Sequence, residues 1–592
     1  MSATALPEKE CDLVMKGGIT SGVVYPGAIT RIARDYRFRN LGGASAGAIA
    51  AVAAAGCEYA RNQGDPAAFD VLDEVQHEIS GEGFVQSLFQ PTAEAKPAFD
   101  LALRLVTTSG SLTQRVLQAG TLILRQDRRF LLGAGLTVIV WLGIAVLAIA
   151  ALLAGGPSGL EIVAAILLGL AALPLAGLIV AAFAVAAFVR FGTKLDHALQ
   201  DTWWGMCSGK TEQGQPANSG LTDWLYQTVQ KCAGNPEKPL TFRDLVGDDP
   251  ANADVNLQLI TTDLSSSRPA TLPLPEPTDE EKPYFFDPEE WRRLFPEPVV
   301  QHMVDATADG AVPDPDSGAR MLYPMPGLDL PIVVAARLSL SFPILLSTIP
   351  FWRQDGPGDR FVQHTMSDGG ISSNFPIHYF DSLFPGRPTF GLDLQPWRDE
   401  SQKAVEMSNE PRRAGFTEVR NVGDFFGQIL NAARNWRDSL QAELPGYRDR
   451  ICQIRLTGEE GGLNLNMPAP IVQRLVERGA EAGAEVTGAA FDWNKHRITR
   501  FQTMMQMLQQ SLGPLGFGRP GVYQGEHPGR IAFHTVVREW QDAGETPVPP
   551  ALAWWLAAIP ASDAVYKLVE AWPDFDADAP TPKPTLRIVP RA

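Results

Sequence analysis

Residues 36–50 read YRFRNLGGASAGAIA. The stretch starts as a strand, Tyr36 to Leu41, ends in glycines, and passes into a small-residue helix from Ala46. Within it, Gly43-Ala44-Ser45-Ala46-Gly47 has the form G-x-S-x-G in the strand–turn–helix setting that a nucleophile elbow requires. Such a turn forces its serine into a strained backbone conformation. Side chains two residues to either side collide, so glycine is needed at 43 and 47. Taken alone, the stretch also reads as a helix start made of small residues for close packing.

The same grammar occurs upstream. Asp12 to Met15 reads as a short buried strand, followed by Gly17-Gly18-Ile19-Thr20-Ser21-Gly22 and a helix over Val23 to Ala33. Glycines there let backbone N–H groups converge at a helix N-terminus, which favours a phosphate or a developing oxyanion. No Gly-Lys-Ser/Thr follows, so this is not a Walker A loop; a plain tight turn is the competing reading. Strand, glycine turn and helix in repetition predict an α/β domain with a mainly parallel sheet. Val255–Thr261, Phe361–Met366 and Thr389–Leu394 are further strand candidates. After the second of these comes Asp368-Gly369-Gly370, then Ser373-Asn374-Phe375-Pro376. A carboxylate on a glycine turn at a strand end can point into a site at the sheet's C-terminal edge, although an ordinary Asp-Gly turn has the same sequence.

Between these motifs lies a long apolar insertion. Phe130 to Leu160 carries no charge, Glu161 interrupts, and Ile162 to Val189 is again uncharged. Each run exceeds the roughly 20 residues that cross a bilayer core, and Gly155-Gly156-Pro157-Ser158-Gly159 turns the chain between them. This predicts a transmembrane hairpin of two helices, about 130–154 and 162–189; a pair of buried helices in a large soluble core is the competing reading, but soluble helices this long and apolar on every side are rare. Arg125, Arg128 and Arg129 precede it and Arg190 and Lys194 follow it, so the positive-inside rule places both chain ends in the cytoplasm of a cell (inner) membrane protein. The first 16 residues contain no apolar signal-peptide core.

The 592 residues carry 50 Lys plus Arg against 67 Asp plus Glu, a net charge of −17. Such an acidic chain is a poor general partner for nucleic acid. The five cysteines are far apart with no CxxC pair, so neither a zinc knuckle nor a disulfide framework is indicated. Eight prolines in 264–300 predict a long irregular surface segment. Residues 395–415 read as a boundary. The organisation expected is an α/β domain in two parts, 1–129 and 190–395, split by the hairpin at 130–189. A mostly helical region follows at 396–572, with a strand near Ile451 to Leu456, and then a disordered tail at 573–592.

The three motifs together resemble those of the patatin-like phospholipases. In that family a Gly-rich oxyanion loop of the type G-G-G-x-R/K-G precedes G-x-S-x-G, and a D-G-G/A motif lies far downstream. Ser339-Leu340-Ser341-Phe342-Pro343-Ile344 looks like the family's serine-rich segment before the aspartate strand. The resemblance covers roughly 11–56 and 333–394. Gly17, Gly18 and Gly22 match, whereas Ile19 stands at the third glycine and Ser21 at the basic position. The resemblance implies a patatin-like three-layer α/β/α fold and a Ser–Asp dyad. Ser45 would be the nucleophile, Asp368 the base, and the N–H groups of Gly17 and Gly18 the oxyanion hole, with Gly22, Gly43, Gly47, Gly369 and Gly370 in support. Its activity would be hydrolysis of membrane-lipid acyl esters through an acyl-enzyme, with no metal or organic cofactor. The hairpin would hold the chain on the lipid bilayer, or serve to localise or to homo-oligomerise it.

Three alternatives compete. A Ser–His–Asp hydrolase could draw on His364 or His378, both close to Asp368 in sequence, but Ser45 comes earlier than that fold usually allows. A rhomboid-type protease keeps its serine within a membrane helix, and Ser45 lies some 85 residues before the first span. A catalytically inactive, membrane-tethered scaffold with a degenerate hydrolase fold is the reading from outside enzymology.

Overall fold

The computed structural model describes residues 6–512 apart from 108–127 and several short internal stretches, the longest of them 408–417. Its strands are β1 (Lys9–Met15), β2 (Tyr36–Gly43), β3 (Gly205–Cys207), β4 (Asn256–Asp263), β5 (Arg268–Leu272), β6 (Phe285–Phe286), β7 (Val312–Pro313), β8 (Met321–Pro324), β9 (Ile344–Leu346), β10 (Ile349–Gly356), β11 (Arg360–Ser367), β12 (Thr389–Pro396), β13 (Val405–Met407) and β14 (Ile451–Leu456). All but β3 and β9 belong to one sheet. Its order is β13-β14-β12-β1-β2-β4-β11-β10-β6-β8-β7, with β5 added alongside β4. The five strands from β14 to β4 are mutually parallel. The flanks, from β11 onward and at β13, are antiparallel. The fold is therefore mixed α/β with a mostly parallel centre, as the repeated strand–glycine–helix grammar predicts.

Alternation along the strands divides the core. Cys11, Leu13 and Met15 of β1 join one large apolar cluster with the helices Tyr25–Ala33 and Ala46–Asn62, whereas Val14 points the other way. There it packs against Phe375, Ile377, Ile451 and Ala442, the last residue of the helix Val422–Ala442. Helices thus cover one face at β1, and the 375–377 segment with the end of the helix Val422–Ala442 covers the other.

The hairpin helices run over Arg128–Leu153 and Gly159–Asp201. Both are long and apolar enough to cross a membrane. Their burial pattern is the reverse of a soluble core. Ala145, Ala165, Ala172, Ala176 and Ala187 are buried, while Leu132, Leu147 and Leu170 are about 70% exposed. Small residues let the two backbones approach, and the Trp141 indole N–H donates to Ala172 O across the pair at 3.2 Å. The second helix begins three residues before the expected start. Ser158 caps it, and Glu161 closes a capping box by accepting from Ser158 N at 2.7 Å. It also continues twelve residues past the expected end at 189. Phe191, Leu195 and Leu199 recur one turn apart and pack against the main core, so the helix leaves the apolar run as an amphipathic arm docked on the body.

Two expectations about organisation are corrected. The proline-rich segment is not an irregular excursion. It contains β5, which pairs with β4 from Leu259↔Leu272 to Asp263↔Arg268, together with β6 and the helices Pro288–Arg292 and Glu297–Thr307. Pro288 and Pro298 sit in first turns, where a missing N–H is no loss, and Phe286, Trp291 and Phe295 are fully buried. Nor does the α/β body end near 395. β14 pairs parallel with β12 from Gly391↔Ile451 to Pro396↔Leu456, and β13 closes that edge. The helix Ala469–Thr487 lies on the helix Tyr25–Ala33, with its Gly479 directly against Val24 O. The body thus extends to at least 487, and the tail expected at 573–592 lies outside the described residues.

Candidate active site

The register places Ser45 and Asp368 at one sheet edge. Gly43, the last residue of β2, pairs with Leu259 of β4. From the other side of β4, Ser367 at the end of β11 pairs with Thr262, and Gly369 abuts Ile260 O. Only the last residues of β11 pair with the last residues of β4, so β11 ends at the same sheet edge where β2 turns into its helix.

Ser45 stands between β2 and the helix Ala46–Asn62 with φ 53° and ψ −126°, a strained conformation for a residue with a side chain. Cβ atoms added at the flanking glycines would lie 2.4 Å from Gly47 O (at Gly43) and 2.2 Å from Met15 O (at Gly47). Both glycines are therefore required by backbone contact, as the sequence pattern predicts. Ser45 N–H donates to Ser339 Oγ at 3.0 Å, and its hydroxyl donates to Gly18 O at 3.3 Å.

Asp368 is buried, with 1% of its surface exposed. Its backbone is fixed on both sides: its N–H donates to Ser341 O at 3.0 Å, and Thr262 Oγ1 donates to its carbonyl at 2.9 Å. Oδ1 accepts Gly370 N–H at 2.7 Å, while Oδ2 is buried with no hydrogen-bond partner among the described residues. Burial pushes its pKa up to about 6, against the opposing pull of the Ser45 hydroxyl, the Arg434 charge and the Gly370 N–H. The Ser45 hydroxyl is thus close enough to act on the carboxyl, while it also donates to Gly18 O.

The glycine loop departs from expectation at one position. Gly17 N–H is already committed, donating to Asn374 O at 2.8 Å, so it is not a free oxyanion donor. Gly18 and Ile19 donate to no protein group among the described residues. The uncommitted N–H pair therefore lies one residue further along than the motif alone suggests. Gly22 lies 3.0 Å, measured from an added Cβ, from Ala46 Cβ, which seats the loop against the helix that follows Ser45. The loop after β14 also reaches it, where Thr20 Oγ1 donates to Gly462 O at 3.3 Å.

Sequence reasoning missed Asp438, Arg434 and Arg337, and saw Ser339 only as part of the serine-rich segment. Asp438 accepts Asn374 N–H (2.7 Å), Phe375 N–H (2.8 Å) and Ser373 Oγ–H (3.0 Å), and so holds the chain just after Asp368-Gly369-Gly370. One turn earlier on the same helix, Arg434 Nε donates to Gly370 O at 2.9 Å. Ser339 supports the Ser45 amide. Arg337 is fully buried and donates to Ser341 Oγ (2.7 Å), Ser347 O (3.0 Å), Ser208 O (3.1 Å) and Thr222 Oγ1 (3.2 Å), all neutral oxygens. Burial lowers its pKa to about 10. The legible signal for Arg434 and Asp438 was an i, i+4 charged pair opposite an apolar helix stripe.

The histidine alternative finds no support at Ser45. His364 is held between two carboxylates, Nδ1 to Asp263 Oδ2 at 2.8 Å and Nε2 to Asp355 Oδ2 at 3.1 Å. His378 lies edge-on to Tyr379.

No protein-family model matches the chain. Among solved structures, VipD from Legionella pneumophila aligns over 96% of this chain and 82% of its own, at 12% identity and a TM-score of 0.26, a likeness too slight to carry any argument. A protein of Rhizobium meliloti (strain 1021) described as an RpoH suppressor is 31% identical over 666 aligned positions, which span 99% of each chain. At that identity and coverage, the chain belongs to the same family as the RpoH suppressor of Rhizobium meliloti.

Proposed function

We propose that this chain is a membrane-anchored serine acyl hydrolase of the patatin-like type, cleaving fatty-acyl esters of membrane lipids. One observation carries the reading. A serine strained at φ 53° on a glycine-flanked turn sits beside a buried aspartate whose Oδ2 has no partner. Strain and an unsatisfied carboxylate oxygen are both costly, and they cluster where chemistry needs them.

The steps follow from the residues. Asp368 takes the Ser45 proton as Oγ bonds to the ester carbonyl carbon. The carbonyl electron pair moves onto oxygen, and the N–H groups of Gly18 and Ile19 receive that charge. Collapse breaks the bond to the alcohol, which leaves with the proton held by Asp368. Water then attacks the acyl-Ser45, again giving its proton to Asp368, and the acid departs as Ser45 is restored. A carboxyl pushed up to about 6 is a competent base just below neutral pH. The hairpin supports a bilayer location, since its large apolar residues face outward and its flanks are basic on the side of the α/β body.

The test is fatty-acid release from mixed phospholipid micelles by detergent-purified wild type, Ser45→Ala and Asp368→Asn side by side. Release by wild type alone is the expected result. Equal release by all three would remove the dyad. Fluorophosphonate labelling that is absent at Ser45 would favour the inactive-scaffold reading.

A further inference from the structure

The helix Val422–Ala442 has two faces with different purposes. At 100° per residue, Phe425, Ile429, Trp436 and Leu440 fall within an arc of about 60°, and all four are exposed, from 48% at Ile429 to 63% at Trp436. Arg434 and Asp438 lie on the far side, about 180–220° from Phe425 by the same count. Those two residues grip Gly370 and the 373–375 turn. Single exposed apolar residues are ordinary, but a continuous stripe of Phe, Ile, Trp and Leu on one helix is not. A helix with one polar face and one such face is the form that lies in a bilayer interface.

We infer that the helix Val422–Ala442 is an interfacial element: its apolar stripe rests in the bilayer surface while its polar face positions the Asp368 turn. The inference deepens the proposed function and rests on it for the meaning of the positioning. The bilayer is chosen over other occupants because the same chain has two lipid-type helices, and because their anchorage ends at this site. The arm of the second hairpin helix stops at Asp201, and Thr348 Oγ1 donates to Trp203 O at 2.9 Å just beyond it. β3 then pairs with β9, directly after Phe342-Pro343, and Ser341 O holds Asp368 N–H. The aspartate turn is thus gripped from one side by the hairpin's anchorage and from the other by this helix. Contact of the stripe with lipid would fix the base where substrate is present.

The experiment uses the full chain in vesicles of phosphatidylcholine and phosphatidylglycerol. All five native cysteines are buried, so single cysteines placed by Ile429→Cys, Trp436→Cys and, on the other face, Asn431→Cys accept a nitroxide selectively. Collisions with oxygen exceeding those with a water-soluble nickel chelate at 429 and 436, and the reverse at 431, are expected. Equal nickel access at all three overturns the inference. Shielding from both reagents in detergent and vesicles alike also overturns it, by pointing to cover from the rest of the chain or from a second copy. In parallel, the triple variant Phe425→Ser/Ile429→Ser/Trp436→Ser should keep hydrolysis of a water-soluble short-chain ester. It should lose vesicle phospholipid hydrolysis roughly ten-fold or more, since several large apolar contacts with lipid are removed. Equal loss on both substrates assigns the helix a merely structural role and overturns the coupling. If wild type cleaves neither ester, the hydrolase reading falls and the nitroxide depths alone decide where the helix lies.

Discussion

Replacing the proposed base should make the protein inactive and more stable at once. Asp368 is buried and its pKa is pushed from the ordinary 3.8 up to about 6. In the unfolded chain it ionises near the ordinary value. A carboxyl raised on folding favours the native state fully below about 3.8, and that contribution is lost as pH rises through about 6. At 1.36 kcal/mol per pH unit, holding the anion in the native state at pH 7.5 costs about 3 kcal/mol. Asp368→Asn is neutral at every pH. Its Oδ1 can still accept Gly370 N–H, and its amide takes the place of the partnerless Oδ2. At about 1–2 °C per kcal/mol for a body of this size, the variant should melt a few degrees above wild type at pH 7.5. The gap should close steadily between pH 6 and 4. Differential scanning of both proteins in one detergent across pH 4–8 measures this, alongside a loss of turnover of about 10²–10⁴. A variant less stable than wild type at pH 7.5, or a gap that does not change with pH, would show that the carboxyl is not held ionised at a cost and would refute the reasoning.

Other outcomes follow from the same geometry. Wild-type kcat/KM should fall as pH drops through about 6, because the acid form of Asp368 cannot accept the serine proton. In Arg434→Gln that limb should move to higher pH, since a nearby positive charge that lowers the pKa is gone; a limb that stays or moves down contradicts the assignment. Ser45→Gly and Ser45→Ala should both be inactive, but the glycine variant should be more stable by roughly 1 kcal/mol or more, because only glycine adopts φ 53°, ψ −126° without strain; equal melting points would count against a strained elbow. Gly47→Ala puts a Cβ 2.2 Å from Met15 O, backbone that cannot swing aside, and should cost about 3 kcal/mol or more, seen as lost folded yield.

The elements were legible where a short apolar run was followed within two residues by glycine or proline. Tyr36–Leu41, Thr389–Leu394 and Ile451–Leu456 all form strands close to the expected bounds, because pleat alternation and a glycine or proline stop are local signals. The candidate site was legible as residue types, not as geometry. The proximity of Asp368 to Ser45 depends on the last residues of β11 pairing with the last residues of β4, a long-range pairing that no local pattern encodes. The sheet membership of β14 was hidden for the same reason, so helices on both sides of it suggested a separate region. The proline-rich segment misled because prolines at helix first turns and prolines in loops look alike in sequence. The glycine loop misled by one residue, since Gly17 N–H is taken by Asn374 O, 357 positions away in the chain.

What keeps a strained serine and a partnerless carboxylate oxygen together is the manner in which two other buried charges are satisfied. Asp438 is solvated chiefly by two backbone N–H groups and a serine hydroxyl, and Arg337 by four neutral oxygens. An ion pair between two side chains would neutralise each charge wherever the pair happened to lie. Charges met by backbone dipoles from separate loops are satisfied only when those loops are in place, and a buried charge left without them is costly. Asp438 thereby fixes the turn after Asp368. Arg337 fixes Ser341, whose carbonyl holds the Asp368 amide, together with Ser208 and Ser347 beside the hairpin's anchorage. The position of Asp368 is therefore over-determined from both sides, which is the condition under which strain and an unsatisfied oxygen can persist in a native state.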